Sequence, residues 1–215
     1  MPVKAEVLTP NASQSAGLRP DLAAIVDWIE PGSHLLDLGC GDGALLAYLQ
    51  REKGITGYGV EIGINKVTEC IARGINVIHA DIEAGLGEFT DNSFDYVVMN
   101  QTLQATHFPR DLLREMLRIG KQGIVTLPNF GHWRCRVQLG LFGRMPVSSA
   151  LPAAWYETQN LHLCSLSDFD QLCTDSNLKV LERQVLNHNH SSGGVGAKLF
   201  PNLFGEVALY RVARQ

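Results

Sequence analysis

Apolar residues follow two rhythms along the chain. Short runs such as "HLLDL" (34–38), "ITGYGVE" (55–61), "NVIHAD" (76–81), "FDYVVMN" (94–100) and "GIVTLP" (123–128) are bounded by Gly, Pro, Asn or charged residues, the signature of buried strands. Between them the spacing changes to that of a helix face. "RPDLAAIVDWIEPG" puts Ile25, Trp28 and Ile29 on one side and stops at Pro31-Gly32, and "PRDLLREMLRI" does the same with Leu112, Leu113, Met116 and Leu117. Two further helices are expected from Ala44 to Arg51 and around Lys66 to Ala72. Strands alternating with helices predict a parallel, doubly wound sheet.

Towards the C-terminus, "SDFDQLCTDSN" predicts a helix with Ser167 as its N-cap. "KVLERQVL" and "EVALYRV" predict two strands joined by a long glycine-rich loop, which permits an antiparallel pair at the sheet edge. The expected fold is therefore α/β, with a seven-stranded, mostly parallel sheet and an antiparallel edge pair. Residues 1–18 show no apolar period and read as an irregular arm, leaving 19–215 as one domain. The segment from about 130 to 163 breaks the pattern, being rich in aromatics, arginine and proline, and suits a lid or a docking surface.

Composition narrows the functional classes. A formal net charge of −4 without any run of like charge gives no electrostatic footprint for nucleic acid or an anionic membrane. Charged residues make up 19%, below the roughly 25% of an average soluble domain, which favours some surface being covered by a partner. No apolar run approaches the ~18 residues of a membrane span, and "MPVKAEVLTPNASQSAGL" lacks a secretory apolar region; a cytoplasmic protein is expected. The five cysteines have no C-x-x-C pair, which fits reduced, buried thiols. His188 and His190 lack a third ligand at sensible spacing, so no metal is expected.

The candidate chemistry centres on "DLGCGDG". Gly39, Gly41 and Gly43 follow a strand and precede a helix, where absent side chains let a ligand approach the backbone. The spacing G-x-G-x-G departs from the G-x-G-x-x-G of a dinucleotide site and disfavours NAD. Glu61 ends the second strand and Asp81 the third, so three loops open on the edge where doubly wound sheets bind ligands. Glu61 can accept from both hydroxyls of a ribose, and Asp81 from an adenine amino group. The bland alternative for each acid is an N-cap or solvated turn.

"LDLGCGDG", "GYGVE" and "VIHADIE" resemble the motifs of class I S-adenosylmethionine-dependent methyltransferases. The resemblance implies S-adenosylmethionine or S-adenosylhomocysteine as cofactor, in a Rossmann-like fold. Asp37, Gly39 and Gly41, with Cys40 and Gly43 in the same loop, would line its methionine end. Glu61 would hold the ribose, Asp81 and Ile82 would frame the adenine, Ile62 would be a further cofactor contact, and Asn100 and Gln101 would stand beside the sulfonium. The Pro-Pro aromatic motif of nucleobase amino-methylases is replaced by "MNQTLQATHFP". His107 is the candidate base, with capping or packing as its alternative.

The second half narrows the resemblance. "QTLQAT", "LREMLRIGKQGIVTLPNFGHWR", "GRMPV" and "LPAAWYETQNLHLCSLSDF" are similar to the methionine-biosynthesis protein MetW family, with two local departures: Gln159 in place of proline, and "EIGIN" without a following acidic residue. The family implies a role in making methionine in association with homoserine O-acyltransferase, and does not fix a methyl acceptor. Trp133, Val137 and Leu141 recur every four residues beside arginines, as in a packed lid helix or a partner site. Trp133, Arg136, Trp155 and Tyr156 are the candidate partner contacts, being of the residue types that anchor interfaces. Three functions stay open at this point: an S-adenosylmethionine-binding accessory protein, a small-molecule methyltransferase and an NAD-dependent enzyme.

Overall fold

The computed structural model describes residues 20–84, 86–148, 150, 152–158, 161–187 and 195–215. The expected arm at 1–18, Gln159, and His188 and His190 lie outside the described residues. In chain order the elements are α1 (Pro20–Trp28), β1 (His34–Leu38), α2 (Ala44–Lys53), β2 (Thr56–Glu61), α3 (Ile64–Ala72), β3 (Val77–His79) and β4 (Phe94–Asn100). A 3₁₀ turn (Leu103–Ala105) leads into α4 (Pro109–Ile119), β5 (Gly120–Pro128), α5 (Trp133–Phe142), α6 (Leu166–Asp175), β6 (Leu178–Leu186), α7 (Val195–Leu199), α8 (Pro201–Phe204) and β7 (Val207–Arg214).

The seven strands form one sheet in the order β3-β2-β1-β4-β5-β7-β6. The first five pair in parallel, and β7 runs antiparallel between β5 and β6, as the sequence predicts. The period of two sorts the strand residues onto two faces. Leu36, Val97, Met99, Val125 and Tyr210 pack with Leu113 and Met116 of α4 and Phe169 of α6. Their neighbours Leu35, Tyr96, Val98, Ile124 and Leu209 pack with Ile25 and Trp28 of α1 and Leu46 and Leu49 of α2. Helices thus cover both sides, and the reversal of direction between β1→β2 and β1→β4 opens a crevice at the carboxyl ends of these strands.

Two local expectations are corrected. The cap of α6 is Ser165, not Ser167: its hydroxyl accepts from the Asp168 N–H at 3.3 Å, and the Asp168 carboxylate accepts from the Ser165 N–H at 2.8 Å. The helix starts earlier because Leu166 is a core residue, 1% exposed, that turns inward at its first position. The link between β6 and β7 is not a plain loop, since α7 and α8 form within it. Among the described residues no helix is long and apolar enough to cross a membrane.

Candidate cofactor site

Asp37 is the penultimate residue of β1, with pleated apolar neighbours on either side, so its carboxyl is carried into the fold at 2% exposure. One oxygen, Oδ1, is buried and has no hydrogen-bond partner. Burial, and then the charge of Glu61, push its pKa up to about 7. A buried carboxyl left in this state is an acceptor waiting for a donor, best a cationic one.

The loop after β1 turns sharply through left-handed backbone at Gly39 (φ 78°) and Gly41 (φ 57°). The two glycines serve different ends. A Cβ on Gly39 would stand 2.6 Å from Thr102 Oγ1, so its absence lets the β1 and β4 loops pack, whereas a Cβ on Gly41 would meet nothing within 4 Å. Gly41 is where the bare backbone faces open space. Gly43 instead faces the interior, against Cys70 and Ile75.

Glu61 ties this loop to the next. Its Oε2 accepts from the Gly41 N–H at 2.9 Å and its Oε1 from the Gly63 N–H at 2.8 Å. A carboxylate accepts about four hydrogen bonds, so acceptor capacity remains for a diol. Ile62, next along, is 64% exposed and presents an apolar surface. Asp81 is exposed just past β3, with Oδ1 accepting from the Glu83 N–H at 2.9 Å, and Ile82 packs against the core beside it.

At the end of β4, Asn100 Oδ1 accepts from Thr126 Oγ1 at 2.5 Å. Gln101 is held at φ 54°, its N–H donating to Thr126 Oγ1 at 2.8 Å, and its carboxamide nitrogen lies 3.5 Å from Asp21 of α1. The structure therefore gathers Asp37, Gly41, Glu61, Ile62, Asp81, Ile82, Asn100 and Gln101 at loops on one sheet edge. Cys40 is in the loop but its thiol turns under it, 3.8 Å from that of Cys70, which in turn donates to the Gly41 carbonyl at 3.2 Å. Burial pushes the Cys40 thiol pKa far up, so it stays neutral packing.

His107 stands at the start of α4 with Nδ1 2.6 Å from Glu83, whose carboxylate also accepts from the backbone N–H groups of His107 and Phe108. The bond to Glu83 raises the imidazole pKa and lowers that of the carboxyl. Glu83 thus holds the ring in place ahead of α4 through Nδ1, the geometry of a capping contact and equally of a carboxylate-oriented base. Glu83, Thr102, Thr126 and Asp21 escape a reading by motif, though Thr126 has a signal: a threonine, 0% exposed, inside the apolar run "GIVTLP".

Between β5 and α6, the face made by Trp133, Val137 and Leu141 is exposed at 43, 37 and 78%, while Cys135 of the same helix is the residue that is buried. Trp155 and Tyr156 meet edge to face at 5.7 Å between ring centroids and are both 71% exposed. Arg136 is exposed, with its Nε donating to the Gly131 carbonyl at 2.6 Å. All four candidate contacts are on the surface, and the face of α5 made by Trp133, Val137 and Leu141 does not pack against the core.

The sheet order and the helices on its two faces define the class I S-adenosylmethionine-dependent methyltransferase fold. It matches a Thermotoga maritima SAM-dependent methyltransferase, described as a possible histamine N-methyltransferase, with TM-score 0.63 at 20% identity, over 91% of this chain and 88% of that one. Haemonchus contortus phosphoethanolamine N-methyltransferase 2, solved in complex with S-adenosyl-L-methionine, matches with TM-score 0.64 at 15% identity, over 90% of this chain and 52% of that one. Within this class the chain belongs to the methionine biosynthesis protein MetW family, whose model matches residues 19–212. It is 32% identical over 215 residues to the bifunctional methionine biosynthesis protein MetXA/MetW of Rhodopirellula baltica, covering 96% of this chain but 34% of that longer relative.

Proposed function

We propose that the protein binds S-adenosylmethionine at the carboxyl edge of β1, β2 and β4 and acts in methionine biosynthesis as an accessory partner of homoserine O-acyltransferase. The observation that carries the cofactor reading is the buried, unpartnered Asp37 oxygen beside the open backbone at Gly41. The residues fit the group. Asp37 suits the cationic amino-acid end, Glu61 the ribose hydroxyls, and Ile62 and Ile82 the two faces of the adenine, with Asp81 accepting from its amino group. The cofactor supplies a sulfonium-bound methyl group; this chain's residues bind and orient it and keep water from it. NAD is disfavoured by the loop spacing.

Calorimetry with S-adenosylmethionine, S-adenosylhomocysteine and NAD tests this directly: the first two bind and the third does not. Glu61→Ala removes charge-assisted hydrogen bonds of about 2 to 3 kcal/mol, a loss of roughly thirty- to 150-fold in affinity. Glu61→Gln, which keeps the side-chain size and an acceptor for one of the two loop N–H groups, together with the melting temperatures of both variants, separates ribose recognition from loop collapse. Undiminished binding in both variants would exclude the ribose role.

The partner reading is supported by the family and by the R. baltica relative, whose name joins MetXA and MetW in one protein. The exposed aromatic and arginine side chains at Trp133, Arg136, Trp155 and Tyr156 are the proposed contact. A place between an early enzyme and a product-derived cofactor suits feedback sensing. The competing reading is turnover, since an in-line methyl displacement needs little beyond alignment. Labelled methyl transfer to a homoserine-pathway metabolite would favour it.

A further inference from the structure

A second concavity, of about 190 Å³, lies between the 3₁₀ turn, the start of α4, the end of β5 and α6. Leu103, Pro109, Leu127, Phe169 and Leu172 make its walls apolar. One lining side chain does not belong in such a setting. Gln104 is only 8% exposed, and its Oε1 is buried without a hydrogen-bond partner. The carbonyl of the same residue accepts from the His162 N–H at 2.7 Å, so the turn is held while the side-chain oxygen has no partner. Buried carboxamides in folded proteins are ordinarily paired, because an unpaired one destabilises the fold.

The charged and reactive neighbours narrow what could satisfy it. Asp168 lines the cavity with its carboxyl held below the usual range by the Ser165 N–H and hydroxyl, so it stays anionic and repels an anion. The Cys164 thiol is pushed up to about 11 by burial and remains a neutral wall. Since about 150 Å³ accommodates benzene, the space suits roughly six to eight non-hydrogen atoms.

We propose that this cavity is a second ligand site, for a small neutral aliphatic molecule whose polar end both donates to and accepts from the Gln104 carboxamide, as a primary amide does. The site is separate from the glycine loop, and the proposal does not rest on the cofactor reading. The turn that carries Gln104 follows directly on Asn100–Thr102, so an occupant would also brace the end of β4.

The test is a titration of the full chain with hexanamide, followed by NMR chemical shifts, with hexanoate as the anionic control. Saturable binding in about the millimolar range is expected for so few atoms, with hexanoate at least about tenfold weaker because of Asp168. Gln104→Leu keeps the volume and removes the polar group: it should weaken hexanamide about five- to tenfold and raise the melting temperature. Leu172→Phe narrows the cavity without touching Gln104 and should also weaken binding, which guards against one variant failing to fold. Absence of saturable binding, equal affinity for hexanoate, or unchanged affinity in both variants overturns the proposal.

Discussion

Asp37 shows what a single buried group does to the behaviour of the whole. Its folded pKa is about 7 against an ordinary 3.8, from burial first and Glu61 second. The sign follows from proton counting: between these values the folded state holds a proton that the unfolded state has lost, so stability falls as pH rises through the window and levels off above about pH 7. The full difference is about 4 kcal/mol. Asp37→Asn, which cannot ionise, should therefore be more stable than wild type at pH 8 and similar to it near pH 3, as read by denaturant titrations at the two pH values. Binding a cationic cofactor end would lower the Asp37 pKa and release a proton near neutrality, so affinity should rise with pH towards 7. Calorimetry in buffers of different ionisation enthalpy measures that release. The sequence made Asp37 visible through the motif around it, but not its protonation, which depends on how completely the sheet removes it from water. It also left Glu83 invisible, because the clamp on His107 joins residues 24 apart across a fold that no local pattern encodes.

Elements were legible where a period and its stop signals agreed, as in β4, which spans "FDYVVMN", and α4, which spans "PRDLLREMLRI". They were obscured where tertiary contact overrode local preference. Ser165 displaced Ser167 as a cap because burying Leu166 outweighed the later start, and α7 and α8 carry too little apolar period to announce themselves in a glycine-rich stretch. The same distinction separates two glycines. Gly57 (φ 146°) is paired with Leu35 across β1 and β2, and a Cβ there would lie 1.8 Å from the Leu35 carbonyl oxygen. Gly57→Ala should thus cost more than about 4 kcal/mol or prevent folding, seen as loss of a cooperative melt. Gly41→Ala meets open space and carries only backbone strain of about 1 to 2 kcal/mol, so it should fold yet bind S-adenosylmethionine at least about tenfold more weakly. On α5, Trp133, Val137 and Leu141 were ambiguous in sequence because a helical stripe has the same spacing whether it meets the core or a partner. Exposure shows that this stripe does not meet the core. Trp155→Ala and Arg136→Ala should each leave stability within about 0.5 kcal/mol while weakening capture of the acyltransferase. Retained capture by both folded variants would place the contact elsewhere.

At the scale of the molecule, the question is whether the proposed cofactor edge and the exposed α5 face act as one device. The covalent frame for it is short: β5 carries Thr126, which holds Asn100 and Gln101 at the carboxyl edge of the sheet, and five residues past its end α5 begins at Trp133. Asn129 there donates to the Asn202 and Gly205 carbonyls at 3.0 and 2.8 Å, fastening the base of α5 to α8. A ligand changes such a connection only if it binds two arrangements unequally. S-adenosylmethionine is made from methionine, so a protein that holds it while touching an enzyme early in the pathway is placed to report end-product supply. A coupling of about 1 to 3 kcal/mol would alter partner affinity roughly five- to 150-fold, and linkage requires the same factor on cofactor affinity when the partner is bound. Both sides can be measured: cofactor affinity with and without saturating acyltransferase, and acyltransferase affinity with and without saturating cofactor. Sensing predicts two matched factors well above one, and Glu61→Ala should bring the second factor towards one at a cofactor concentration that saturates wild type only. Factors of one on both sides would mean that the cofactor does not govern the association, and would shift the weight to consumption of its methyl group.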